Sequence, residues 1–339
     1  MTEWLPASTE SISRAAALLR AGGLVAFPTE TVYGLGANAL DEKAVRRIFL
    51  AKGRPIADPL IVHLARPEQI ERVARRIPPL ALRLAETFWP GALTLILPKQ
   101  PVIPDLVTSG LATVAVRVPN HPVALALLEA ADLPIAAPSA NRFGRTSPTT
   151  AQHVWQDLHG RIDLILDGGA TTIGVESTVL DLSTSPPRIL RPGGVTREML
   201  ETIIGEVHVF HQRRAAEPGL PSPGLLEKHY APHAEMVLLS GPQASAGLRN
   251  LLAERQAAGQ KVGVLATDDE AADLEAQGAI VYRLGNDLTT IARNIYAGMR
   301  WLDAQQVDVI LCRDFEPQGL GLAIHDRLTR AATRTIVCS

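Results

Sequence analysis

DEKAVRRIFLAKGRPIADPLIVHL, residues 41–64, decides how the chain is read. Asp41 is a plausible helix N-cap, Val45, Ile48 and Phe49 supply the apolar face, and Gly53 is a stop. PLIVHL then has the length and the Leu, Ile and Val content of a strand. Between them lie two cations, Lys52 in the last helical turn and Arg54 just past the glycine, in a loop stiffened by Pro55 and Pro59. An isolated Lys-x-Arg is most simply a solvated pair complementing the helix dipole. A strand that follows at once holds both cations where a sheet edge ends, and such strand-end crevices favour ligands.

Working outward, GLVAFP, ALTLIL, TVAVRV, IDLILDG and STVLDL read as further strands. PTTAQHVWQDLHG and TREMLETIIG read as helices, and Ser147 and Thr149 before the first read either as an ST-type cap or as part of a site. This mixture predicts an α/β or α+β domain around a mixed sheet. From Gln212 to His233 the chain becomes rich in Pro, Gly and charge without periodicity, the signature of a linker. Beyond it MVLLS, KVGVLAT, AIVYRL and VDVILCR alternate with helical stretches and lead to a final helix around HDRLTRAAT. That alternation predicts a smaller, Rossmann-like parallel sheet covered by helices. The expected division is 1–212, a linker at 213–233, and 234–339.

With 339 residues, 46% of them hydrophobic and 20% charged, the chain has ample material for two cores. A net charge of −2 excludes a broad cationic field for nucleic acid, while a local basic patch stays open. The two cysteines, Cys312 and Cys338, make no disulfide framework. MTEWLPASTE lacks a basic start and an apolar run, so no signal peptide is expected. PVALALLEAADLPIAAP is broken by Glu129, Asp132 and Pro134, well short of a membrane span. The expectation is a reduced, cytoplasmic protein with no membrane partner.

Three stretches carry candidate chemistry besides the cation pair. PIAAPSANRFGRTSPTT runs from a strand into Ser139, Asn141, Thr146 and Ser147, neutral groups able to grip phosphate or ribose. FPTETVYGLGANAL places Thr29, Thr31, Tyr33 and two glycines directly after a strand, as a polar loop or a simple turn. His63, Arg117, Ser177 and Arg191 stand singly at strand ends. The chain has no GxxxxGK[ST], no completed GxGxxG, no GxSxG elbow and no metal-ligand spacing. A site rich in Arg, Lys, Ser, Thr and Asn suits positioning and neutralising phosphates more than proton transfer.

PTETVYGLGANA, KGRPIADPLIVHL, VAVRVPNHP, APSANRFGRTSPTT, ESTVLDL, LRPG and SPGLLEKHYAPH, in this order, closely resemble the Sua5 branch of the YrdC/Sua5 family. Members are L-threonylcarbamoyladenylate synthases, and the resemblance spans the whole chain. It implies a YrdC-like twisted mixed-sheet domain, a linker acting as a lid, and a Sua5-type C-terminal domain. It implies a nucleotidyltransferase that uses L-threonine, bicarbonate or CO2, and ATP, releasing pyrophosphate and threonylcarbamoyl-AMP. A downstream transferase complex would then modify adenosine 37 of ANN-decoding tRNAs. By motif, Thr31, His63, Arg117 and Ser177 take the threonine side. Lys52, Arg54, Thr113, Ser139, Asn141, Ser147, Arg191 and Tyr230 take the ATP side, with Lys52 and Arg54 catalytic and Mg2+ carried on the phosphates rather than by the protein. Asp58 departs from the Asn or Lys often found at its position. A module that binds tRNA without catalysis is the alternative, and the overall charge weighs against it.

Overall fold

A computed structural model describes residues 1–210 and 230–339. The expected linker at 213–233 therefore lies outside the described residues except for its last four positions. These residues fall into two compact units, 1–143 with 147–210, and 144–146 with 230–339.

The first unit runs β1 (Glu3–Pro6), α1 (Thr9–Arg20), β2 (Val25–Phe27), β3 (Gly34–Asn38), α2 (Glu42–Lys52), β4 (Ile61–His63), α3 (Pro79–Phe88), β5 (Leu93–Pro98) and α4 (Asp105–Thr108). It continues through β6 (Thr113–Arg117), α5 (Pro122–Ala131), β7 (Ile135–Ala136), α6 (Ala151–Leu158), β8 (Leu164–Asp167), β9 (Thr178–Asp181), β10 (Arg188–Arg191), α7 (Arg197–Ile204) and β11 (His208–Val209). Its strands form one mixed sheet in the order β1-β8-β2-β3-β7-β4-β6-β5-β9-β10-β11. The neighbours β4 and β6 are parallel, with His63 opposite Arg117, while β5 and β6 are antiparallel.

All the strands read in this part of the sequence form, and so do the helices at 42–52, 151–158 and 197–204. In α2 the Asp41 carboxylate accepts from the amides of Lys43 and Ala44 at 2.9 and 3.3 Å, satisfying donors the first turn leaves open. Gly53, at φ 65°, ends the helix, and the Arg54 amide closes back on the Phe49 carbonyl at 3.0 Å. Ala44, Val45, Ile48 and Phe49 are buried in the larger core, which covers one face of the sheet. A second cluster joins α1 and α5 to Val25, Phe27 and Ile135.

Two local readings are corrected. GLGAN is the strand β3 rather than a loop, because glycine is what the packing there admits. A Cβ on Gly36 would lie 2.8 Å from Phe27 Cε1 and 2.9 Å from Ile135 Cγ2. The cap before α6 is Thr150, whose hydroxyl accepts from the His153 amide, one residue beyond the expected pair.

The second unit contains β12 (Glu235–Ser240), α8 (Ala244–Ala257), β13 (Val262–Ala266), α9 (Asp268–Ala276), β14 (Ile280–Arg283), α10 (Leu288–Ala304), β15 (Val309–Arg313), α11 (Leu320–Ala331) and β16 (Arg334–Val337). The five strands are all parallel, in the order β14-β13-β15-β12-β16. The helix at 320–331 is not the last element, since Arg334–Val337 adds an edge strand beside β12. RTIV is short and charged at its start, which hides it from a periodicity reading. No helix of the described residues is long and apolar enough to cross a membrane.

Candidate active site

The strand-end residues of the first unit converge. β6 brings Arg117 beside His63 of β4, and both side chains are buried. The Arg117 guanidinium donates to Thr31 Oγ1 at 3.1 Å and to both carboxylate oxygens of Glu30 at 2.8 Å. Thr31 is itself paired with Thr29 through their hydroxyls at 2.7 Å. The turn carrying them is stitched to the 172–174 loop, whose Thr172 and Ile173 amides donate to the Glu30 carbonyl. Two buried polar atoms in this group, Arg117 Nε and His63 Nδ1, have no hydrogen-bond partner among the described residues. Buried polar groups are normally satisfied, so an orphan pair in adjacent strand register makes this a candidate ligand position.

Ser177 stands at the entry to β9, and its hydroxyl is 2.8 Å from that of Thr94. Arg191, at the end of β10, donates through Nε and a terminal nitrogen to the Ser177 carbonyl at 3.1 and 3.0 Å. The neighbouring Glu176 accepts from Ser147 Oγ at 2.5 Å. Burial lowers the Arg117 pKa, the Glu30 carboxylate raises it, and the positive charge of Arg191 lowers it again. Two guanidinium groups thus bear on one buried region, where the Glu30 carboxylate is engaged by Arg117 and the Glu176 carboxylate by Ser147.

A second group centres on the loop after β7. Lys52 is 1% exposed, and its Nζ donates to the carbonyls of Ser139 and Asn141 at 2.6 and 2.5 Å, with Asn141 Oδ1 at 3.5 Å. Burial first, and the charge of Arg54 second, push its pKa well below the usual lysine value. Arg54 folds over its own loop, forming a 2.8 Å ion pair with Asp58 and donating to the Pro59 carbonyl at 2.9 Å. The departure at Asp58 thus has a structural consequence: it gives Arg54 an acidic partner within its own loop.

The proposed site residues are not equally close. Thr113 shares a face of β6 with Arg117 but stands four residues away, about 13 Å along the strand. Tyr230 belongs to the second unit, where its ring packs at a tilt against Tyr296, centroids 5.5 Å apart, with Arg327 and Arg330 over it at 5.3 and 5.7 Å. Its carbonyl accepts from Thr146 Oγ1 at 3.2 Å. Sequence reasoning missed Glu30, Glu176 and Thr94. The signal for the first two was available, since an acidic residue amid Thr and Ser directly beside a buried strand needs a cation or donor.

His63 offers a test by pH. Burial, and then the Arg117 charge, hold its pKa down to about 3, against 6.5 for a free imidazole. The folded state thus binds fewer protons than the unfolded one between those values. Its contribution to stability is full above pH 6.5 and is lost progressively as pH falls toward 3. From pH 7 to pH 5 the wild type should lose about 2 kcal/mol more than His63→Gln, measured by denaturant unfolding at both pH values. Equal losses would place His63 in contact with water.

The family model described as "Telomere recombination", Sua5_yciO_yrdC, matches residues 17–193, and "Threonylcarbamoyl-AMP synthase, C-terminal domain" matches residues 195–333. The chain belongs to the Sua5/YrdC family. A threonylcarbamoyl-AMP synthase of Pyrococcus abyssi is 49% identical over 95% of this chain and 94% of its own length. One from Bacillus subtilis is 46% identical over 99% of this chain and 97% of its own. The crystal structure of P. abyssi Sua5 complexed with L-threonine covers 100% of both chains, at 46% identity and a TM-score of 0.92. Sua5/YrdC membership accounts for both the mixed sheet of the first unit and the parallel sheet of the second.

Proposed function

We propose that this protein is an L-threonylcarbamoyladenylate synthase, joining L-threonine, bicarbonate or CO2, and ATP with release of pyrophosphate. The observation that carries the reading is the buried Arg117–His63 pair, whose Nε and Nδ1 have no hydrogen-bond partner among the described residues, in a chain similar over its full length to a Sua5 complexed with L-threonine. Arg117 would receive the threonine carboxylate, and Thr31, Ser177 and neutral His63 would orient the rest of the molecule. On the nucleotide side stand Arg54, Thr113, Ser139, Asn141, Ser147 and Arg191, with Lys52 at the base of the same loop. The assignment of Tyr230 to the nucleotide rests on its motif alone.

In this reading the neutral threonine amine attacks the carbon of CO2 and gives up a proton to solvent, forming a carbamate anion. A carbamate oxygen then attacks the α-phosphorus as the bond to pyrophosphate breaks. Charge builds on phosphate oxygens, where Arg54 and Arg191 stabilise it. For that, Arg54 must exchange Asp58 for phosphate. The oxygen groups around the loop are mostly hydroxyls and amides, while the carboxylates of Asp58, Glu176 and Asp157 are engaged by Arg54, Ser147 and the Arg142 amide, a set that fits Mg2+ arriving on the nucleotide. The ion would supply further charge neutralisation. Transfer of the product to adenosine 37 of tRNA by a partner complex completes the proposal.

Pyrophosphate release from ATP by the purified protein tests it. Release should require both L-threonine and bicarbonate. Release at the same rate without threonine would overturn the reading.

A further inference from the structure

We propose that Lys52 is a positioning residue, whose Nζ shapes the Ser139–Asn141 loop from beneath rather than touching phosphate. The proposal rests on the reading that this loop holds ATP, and it changes what the lysine of the cation pair does there.

Lys52 is among the largest fully buried side chains of the protein. Its two short bonds go to main-chain carbonyls two residues apart, Ser139 and Asn141, so they fix the curvature of the turn between them. The main chain of Lys52 works on the same turn, since its carbonyl accepts the Phe143 amide at 2.9 Å. On the other side of the loop the Ala140 amide donates to the Tyr33 carbonyl at 2.8 Å, and Ser139 bridges Gly34. The last residue of α2 and the first of β3 thus hold the loop between them. Asn141 is tied as well, its amide nitrogen donating to the Arg142 carbonyl at 2.8 Å. Both short contacts of Lys52 go to backbone oxygens of the loop itself, so a shift of Nζ toward phosphate would give up the bonds that set the turn. Removing it leaves the buried Asn141 carbonyl and the partly buried Ser139 carbonyl without their donor, a cost that the loop relieves by opening.

Hydrogen exchange in the ligand-free protein separates this role from direct phosphate binding. In Lys52→Met the Ala140 and Phe143 amides should exchange at least ~10-fold faster than in wild type, while amides of β5 and β6 exchange as before. Lys52→Arg should show the same pattern, because a guanidinium does not fit a slot built for one nitrogen. It provides the measurement if Lys52→Met does not fold. With ATP, both variants should lose at least ~10-fold in nucleotide affinity while binding threonine within about twofold of wild type. If exchange at Ala140 and Phe143 is unchanged while ATP affinity falls, or if Lys52→Arg keeps wild-type affinity, Lys52 is a phosphate ligand and the proposal fails. Because the exchange is read without substrate, a failure of the synthase reading would leave this result standing on its own.

Discussion

Arg117→Met should abolish threonine-dependent pyrophosphate release, a loss of at least ~100-fold, and should destabilise the protein by about 3–5 kcal/mol. The two effects have different origins. The stability loss comes from Glu30, which is 4% exposed and takes two 2.8 Å bonds from Arg117. Without the guanidinium it becomes an unpaired buried carboxylate. The activity loss comes from the Nε that has no hydrogen-bond partner among the described residues and, in the proposed reading, serves the substrate. A double variant, Glu30→Gln with Arg117→Met, separates them. Removing both charges should restore stability to within ~1 kcal/mol of wild type, since replacing a whole buried pair is far cheaper than breaking it. Pyrophosphate release should stay lost. Recovery of activity to within ~10-fold in the double variant would show that Arg117 serves only to neutralise Glu30. Unfolding curves and the release assay on the two proteins decide the matter.

That pair also marks how far the sequence could be read. Arg117 was recognisable at the end of VAVRV, because a cation terminating an apolar strand is conspicuous. Glu30 was passed over because TET reads locally as a polar turn, and its partner lies 87 residues away. The same limit applied at Lys52. Its place in the last turn of α2 followed from Asp41, the apolar stripe and Gly53, all local signals. That its Nζ is buried against Ser139 and Asn141 depends on strands meeting across the sheet, which periodicity does not encode. The parallel sheet of the second unit was legible because each strand and helix alternates at even spacing. Edge strands such as Glu3–Pro6 and Arg334–Val337 were not, because pairing, more than their own residues, makes them strands.

The stretch LRPGG was read for its arginine, but its first glycine should matter as much. A Cβ on Gly193 would lie 2.2 Å from the Glu176 carbonyl oxygen, 2.4 Å from the Ser177 carbonyl carbon and 2.4 Å from the Thr178 nitrogen. These are backbone atoms with no rotamer to yield, so the loop after β10 or the entry to β9 has to move. Either movement separates Arg191 from the Ser177 carbonyl, to which it donates twice, and shifts the Ser177 hydroxyl from Thr94. The Glu176–Ser147 bond spans the same peptide, so both sides of the proposed site feel one methyl group. Gly193→Ala is therefore expected to cost about 3 kcal/mol, at the upper end for an overpacked interior. The rate should fall by at least ~10-fold with threonine affinity weakened, because the group displaced is one that orients the amino acid. Denaturant unfolding, threonine titration and pyrophosphate release measure the three effects. Wild-type values in all of them would mean that the two backbones approach less closely than 2.2 Å implies, and that Ser177 is held in place by Arg191 and Thr94 alone.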